Sequence, residues 1–143
     1  MKNIHLYSDG SALGNPGPGG WGTILDYKGK IKELSGGKEY TTNNQMELKG
    51  VIEGLKALKE PCHVEIVSDS KYVVQAINEW LSGWVKKGWK TASKSPVKNQ
   101  ELWQEYLDVS AKHSINATWV KGHAGHEQNE RCDELAKNEA YKF

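Results

Sequence analysis

The sequence predicts an α/β fold, a mixed β-sheet with helices packed against it, and three observations carry that prediction. Strand-period segments come in series at the start of the chain, two of them joined by a link short enough to require antiparallel pairing. Further on, short β-rich runs alternate with stretches of helical spacing, the order that gives strands and covering helices. The length of 143 residues suits one compact domain, expected to span 1–143, and leaves little room for a second.

Each element has its own signal. Residues 3–9 alternate, with Ile4, Leu6 and Ser8 against His5, Tyr7 and Asp9, the period of a strand. Residues 10–22 hold six glycines and two prolines and read as loop and turn. Residues 21–27 and 31–40 read as two more strands, joined by a tight turn at Lys28-Gly29-Lys30. Thr41-Thr42-Asn43-Asn44 then offers a choice of helix N-caps, and Leu48, Val51, Ile52, Leu55 and Leu58 follow at helical spacing. Gly50 and Gly54 each cost that helix about 1 kcal/mol relative to alanine, so a close packing contact is expected at both.

Pro61 ends the segment, and residues 64–67 form a short apolar strand leading into Ser68-Asp69-Ser70. A helix is expected from about 71 to 80. The lysine-rich segment after it is interrupted at Gly83, Gly88 and Pro96, and is expected to protrude as helix and loop outside the core, over about 80–99. Residues 99–112 read as an amphipathic helix with Leu102, Trp103, Tyr106 and Leu107 on its apolar side. Residues 117–120 read as the last strand. Residues 127–141 read as the last helix, burying Cys132, Leu135, Ala136 and Ala140.

Composition excludes several classes. No stretch approaches the roughly 18 apolar residues of a membrane span, and the N-terminus opens directly into a strand pattern. A cytoplasmic protein with no membrane association is therefore expected. Cys62 and Cys132 have no Cys-x-x-Cys partner and read as reduced, packed thiols. The formal net charge is only +1, yet the region from Trp80 to Gln100 carries five lysines (Lys86, Lys87, Lys90, Lys94 and Lys98) and no acid. The remainder then holds about −4, so a basic element is attached to a mildly acidic body. Local charge of that kind grips a polyanion.

Four acids stand out by position. Asp9 and Asp69 each end a strand expected near the sheet centre, where ligand sites of open α/β sheets lie. Glu47 and Asp133 border the apolar faces of their helices, and no arginine partner is expected to offset the four acids. Two carboxylates about 4 Å apart repel by roughly 4 kcal/mol at an effective dielectric near 20, so gathering several demands cations. All-oxygen ligation suits Mg²⁺ or Mn²⁺, and two such ions can clamp the attacking and leaving oxygens of a phosphodiester.

The motifs Asp9-Gly10-Ser11, Gly14-Asn15-Pro16-Gly17-Pro18-Gly19-Gly20, Thr42-Asn43-Asn44-Gln45-Met46-Glu47 and Ser68-Asp69-Ser70 occur in that order. Lys121-Gly122-His123-Ala124-Gly125-His126 and Asn129-Glu130-Arg131-Cys132-Asp133-Glu134-Leu135-Ala136 complete the series. From first strand to last helix the chain resembles bacterial ribonuclease H of type 1. The resemblance implies a ribonuclease H-like fold, a five-stranded mixed sheet of three antiparallel strands then two parallel ones, flanked by helices. It implies an endonuclease that hydrolyses the RNA strand of RNA–DNA hybrids and leaves 5′-phosphate and 3′-hydroxyl ends. Asp9, Glu47, Asp69 and Asp133 would be catalytic and bind two Mg²⁺, with Mn²⁺ as a substitute. His123 matches a histidine on a mobile loop that assists proton transfer or product release.

The resemblance also places substrate contacts. Gly10, Ser11, Asn15, Asn43 and Asn44 match positions that read the minor groove, although helix capping is an equally simple use for Asn43 and Asn44. Thr42 and Asn15 match groups that hold a DNA phosphate. The basic segment matches a protrusion lying along the DNA strand, with Trp80, Lys86, Lys87, Trp89 and Lys90 as its contacts. Lys71 departs from the family pattern, standing where a polar amide is common near the RNA strand. The expected partner is the hybrid alone, bound by a monomer with no obligate protein partner. Two other readings of the acids remain, a DNA nuclease or recombinase on the same fold and a non-catalytic hybrid-binding module.

Overall fold

The computed structural model describes residues 1–91, 93–121 and 127–143. Five strands, β1 (Lys2–Ala12), β2 (Gly17–Tyr27), β3 (Lys30–Thr41), β4 (Cys62–Ser68) and β5 (Ser114–Trp119), form one sheet in the order β3-β2-β1-β4-β5. The pairs β1–β2 and β2–β3 are antiparallel, and β1–β4 and β4–β5 are parallel. The expected mixed sheet is present. The tight turn between β2 and β3 has Lys28 and Gly29 at φ 52° and 87°, the left-handed pair that a two-residue hairpin requires, and Asp26 Oδ1 accepts from the Gly29 N–H.

Helices cover both faces. Helix α1 (Asn43–Lys56) packs on β1 and β2, and α4 (Gln100–Ser110) packs against α1. Helix α5 (Glu127–Ala140) crosses β1, β2 and β3 on the opposite face. Strand parity assigns the faces, because Thr23 of β2 touches Gly50 and Gly54 of α1 while Gly22 lies against Cys132 of α5. The main core lies on the α1 side, where Leu6, Leu48, Val51, Ile52, Leu55, Val64, Ile66 and Trp103 are buried together. Both cysteines are free, buried thiols, as read.

The glycine-rich stretch corrects the sequence reading. It is not loop throughout, because β1 runs on to Ala12 and β2 begins at Gly17. Its glycines are where helix backbone touches the sheet. A Cβ on Gly10 would lie 2.3 Å from the Glu47 nitrogen, one on Gly20 2.3 Å from the Ala136 carbonyl, and one on Gly22 2.4 Å from the Cys132 carbonyl. The close contacts expected at Gly50 and Gly54 are also present, against Ser8 and Thr23 and against Leu6 and Thr23.

The helix that starts at Lys71 also runs further than expected. Helix α2 (Lys71–Gln75) continues through a π-helical turn, Ala76–Trp80, into α3 (Leu81–Lys86). One glycine at position 83 weakens a helix by only about 1 kcal/mol. Burial of Leu81 and packing of Trp84 on the core offset that. The basic segment is correspondingly less detached than expected. Val97 is buried and Trp89 packs on the core, while all five lysines remain exposed.

Candidate active site

Sheet register assembles the first two acids. Ser8 pairs with Ser68 at the end of the parallel β1–β4 ladder, so Asp9, still paired with β2, and Asp69, just past β4, follow side by side. The missing side chain of Gly10 lets α1 approach, which brings Glu47 to the same point. One carboxylate oxygen from each of Asp9, Glu47 and Asp69 lies within 4.8 Å of the other two. Asp9 is buried and the other two are half-buried.

Electrostatics report the crowding. Burial first and the charge of Asp69 second push the Asp9 carboxyl up to about 7. Burial, then Asp9 and Asp69, hold Glu47 well above the ordinary carboxylate range, opposed by the Gly10 N–H. Glu47 Oε2 is buried without a hydrogen-bond partner. An unsatisfied buried carboxylate oxygen beside two more carboxylates is what a divalent-cation site looks like without its ion, so these residues fit one.

Asp133 stands apart from the three. Its carboxylate pairs with Lys137 Nζ at 3.1 Å, one turn along α5, yet it lies near enough to Asp9 to help raise that carboxyl. The sequence reading put no arginine near the four acids, but Arg131 stands two residues before Asp133 in α5, where it pairs with Glu33 and Glu134. Asn129, one turn before Asp133, ties α5 to the end of β4 by donating to the Val67 carbonyl at 3.3 Å. His123 and its neighbours Gly122, Gly125 and His126 lie outside the described residues.

A second set of side chains joins the β1–β2 turn to α1. Thr42, not Asn43 or Asn44, is the N-cap, and it forms a reciprocal capping box with Gln45. Asn43 Oδ1 accepts from the Ala12 N–H at 2.7 Å, and Asn15 Oδ1 accepts from the Asn43 N–H at 3.1 Å. Backbone N–H groups only donate, so both carboxamide orientations are fixed, with each Nδ2 left as a donor. Asn15, Asn43 and Asn44 are exposed, and Ser11 is half-buried in β1.

The RNase H family model matches residues 1–141. The chain belongs to the RNase H family. A ribonuclease H from Sulfurovum sp. (strain NBC37-1) is 64% identical over 142 residues, covering 99% of this chain and 93% of that protein. Among solved structures, LC9-RNase H1, described as a type 1 RNase H with the type 2 active-site motif, superposes with a TM-score of 0.89. It shares 34% identity over 99% of this chain and 74% of its own. LC11-RNase H1, solved in complex with an RNA/DNA hybrid, gives a TM-score of 0.76 and 26% identity, covering 97% of each chain.

Within this RNase H fold the remaining expected contacts occupy two places. Lys71 opens α2, and its Nζ lies 4.9 Å from the centre of the Trp119 ring. Trp119, half-exposed at the end of β5, donates its Nε1–H to the Asp69 carbonyl at 3.0 Å. The basic segment carries the rest. Trp80 is exposed, and ring contacts run from it through Trp84 to the buried Trp103. Trp89 is half-buried with φ at 66°, and among the described residues none of the five lysines is ion-paired.

Sequence reading missed Trp119 and Asn129. Asn129 had a signal, since its i,i+4 relation to Asp133 puts both on one face of α5. Trp119 had none, because a lone aromatic in a strand implies packing before it implies a bond to the Asp69 carbonyl.

Proposed function

We propose that this RNase H is an endonuclease that hydrolyses the RNA strand of RNA–DNA hybrids, leaving 5′-phosphate and 3′-hydroxyl ends. The observation that carries the reading is the convergence of Asp9, Glu47 and Asp69 within 4.8 Å, with one buried Glu47 oxygen unpartnered. Asp9, Glu47, Asp69 and Asp133 would hold two Mg²⁺, for which Mn²⁺ can substitute. Ions bound there supply Lewis-acid stabilisation of charge at the scissile phosphate and activation of water. His123 is assigned proton transfer or product release.

The chain's own groups select and orient the substrate. Asn15 and Asn43 spend their carbonyl oxygens on the backbone, so each offers N–H donors to acceptors of the hybrid. Base edges and 2′-hydroxyls in the minor groove supply such acceptors, as phosphates do. Gly10, Ser11 and Asn44 complete this surface. Thr42 Oγ1 accepts from the Gln45 N–H, which leaves its hydroxyl hydrogen for a phosphate of the DNA strand. Lys86, Lys87 and Lys90, with Trp80 and Trp89, grip that strand by counterion release and ring contact. Lys71, beside Asp69, meets a phosphate of the RNA strand.

The test uses a hybrid labelled on both strands, incubated with the protein and Mg²⁺. Internal cuts in the RNA alone, with 5′-phosphate ends, are expected. Cuts in the DNA strand would overturn the reading.

A further inference from the structure

Asp69 stands just past β4 and outside its ladders, so whatever holds its peptide decides where its carboxylate points. The parallel β4–β5 ladder ends at the pair Ser68 and Trp119, and the Val120 N–H donates to the Ser68 carbonyl at 2.9 Å. One residue further on, a side chain takes over. The Trp119 indole N–H donates to the Asp69 carbonyl at 3.0 Å. The serines on either side of Asp69 make local bonds, Ser68 Oγ accepting from the Ser70 N–H at 3.1 Å and Ser70 Oγ from the Val73 N–H at 3.2 Å.

The serine bonds shape the turn and start α2, whereas the indole ties that turn to a neighbouring strand. An indole N–H can only donate, so the Asp69–Ser70 peptide keeps its carbonyl turned toward Trp119. Trp119 is itself seated at the end of β5 and has only two side-chain torsions, so little freedom is lost in holding the bond. The same ring has a second contact. Lys71 Nζ lies 4.9 Å from its centre, which holds the ammonium beside the site. Trp119 is 42% exposed and stands outside the main core cluster, so substituting it removes these two contacts and little core packing.

We propose that Trp119 is a positioning residue with two separable effects: its N–H fixes Asp69 for a divalent cation, and its ring face holds Lys71 for the hybrid. The inference rests on the hybrid-nuclease reading. Asp9, Glu47 and Asp69 each bring one oxygen within 4.8 Å of the others, a spacing that a turned Asp69 peptide would open. The edge of the ring therefore acts on metal affinity, and its face acts on affinity for the substrate.

The test is calorimetric Mg²⁺ titration without substrate, beside steady-state hybrid cleavage at saturating Mg²⁺, for Trp119→Phe and Trp119→Leu. Trp119→Phe keeps a ring for Lys71 and loses the N–H. Its Kd for Mg²⁺ is expected to rise about threefold to tenfold, the range one lost hydrogen bond allows, with the hybrid's KM held. Trp119→Leu is expected to show the same Mg²⁺ shift and, in addition, a KM raised about twofold to fivefold. In the unaltered protein the Trp119 indole N–H resonance should exchange slowly with water despite its exposure and shift on Mg²⁺ addition, a reading that needs no variant to fold. Unmoved Mg²⁺ affinity in the variants, equal KM changes in both, or an indole signal insensitive to Mg²⁺ would overturn the proposal. If the unaltered protein cut no hybrid, the nuclease reading would fall first, whatever the Mg²⁺ titrations gave.

Discussion

Asp9 concentrates the energetic problem of the site in one carboxyl. Burial and Asp69 raise it to about 7, so the folded apo protein binds a proton there that the unfolded chain releases near pH 4. Stability from this group is therefore complete at low pH and is lost as pH rises through that window to the folded value. Glu47 shifts in the same direction and adds to the loss. Asp9→Asn removes the penalty and one proposed metal ligand together. Without metal at neutral pH the variant is expected to melt higher than the parent by roughly 5–10 °C, while cleavage is abolished. Melting lower would contradict the crowded-carboxylate account. Mg²⁺ is expected to stabilise the parent more at pH 8 than at pH 6, because binding must displace those protons. At the other edge, Lys71→Met leaves Trp119 in place and removes one cation. Its measured log–log salt slope for hybrid binding should fall by about 1; an unchanged slope would remove Lys71 from the interface.

At the scale of elements, glycines decide whether the acids meet. Gly10 and Gly22 let the backbones of α1 and α5 rest on the sheet, and those helices carry Glu47 and Asp133. Gly22→Ala should cost about 1–3 kcal/mol of stability, read by urea melting, and weaken Mg²⁺ binding as α5 shifts. Unchanged stability would mean the helix yields freely. This is also where the sequence was hardest to read. Glycine and proline density between 10 and 22 is the usual mark of a turn, and one chain cannot distinguish flexibility from a need for close approach. The neighbouring acids Asp9 and Asp69 were legible because alternation placed Asp9 and a β-branched run placed Asp69, although β1 runs on past Asp9 to Ala12. The hydrogen bonds from Gln45 to Asn99 and from Asn99 to Tyr72 were not, since they join residues distant in the chain and leave no periodic trace. The continuity of the helix through Trp80 into Leu81–Lys86 was not read, for a related reason. Its support is the burial of Leu81 and Trp84, a tertiary gain that Gly83 conceals.

Across the whole molecule, charge is divided between a cluster of crowded acids and a basic segment of exposed lysines. The lysines of that segment are exposed, while Leu81, Trp84, Trp89 and Val97 seat it on the body. Replacing Lys86, Lys87 and Lys90 with Gln should therefore weaken hybrid binding strongly at low salt and flatten its salt slope by about 3, with kcat at saturation kept. A matching fall in kcat would mean the segment shapes the site as well as gripping the duplex. The account as a whole turns on substrate form and metal together. The most direct measurement is cleavage of one sequence prepared as RNA–DNA hybrid, RNA–RNA duplex and DNA–DNA duplex, each with Mg²⁺ and with excess chelator. The account predicts cutting of the hybrid alone, lost on chelation. Cutting of duplex DNA, or hybrid cleavage that persists without divalent metal, would contradict it.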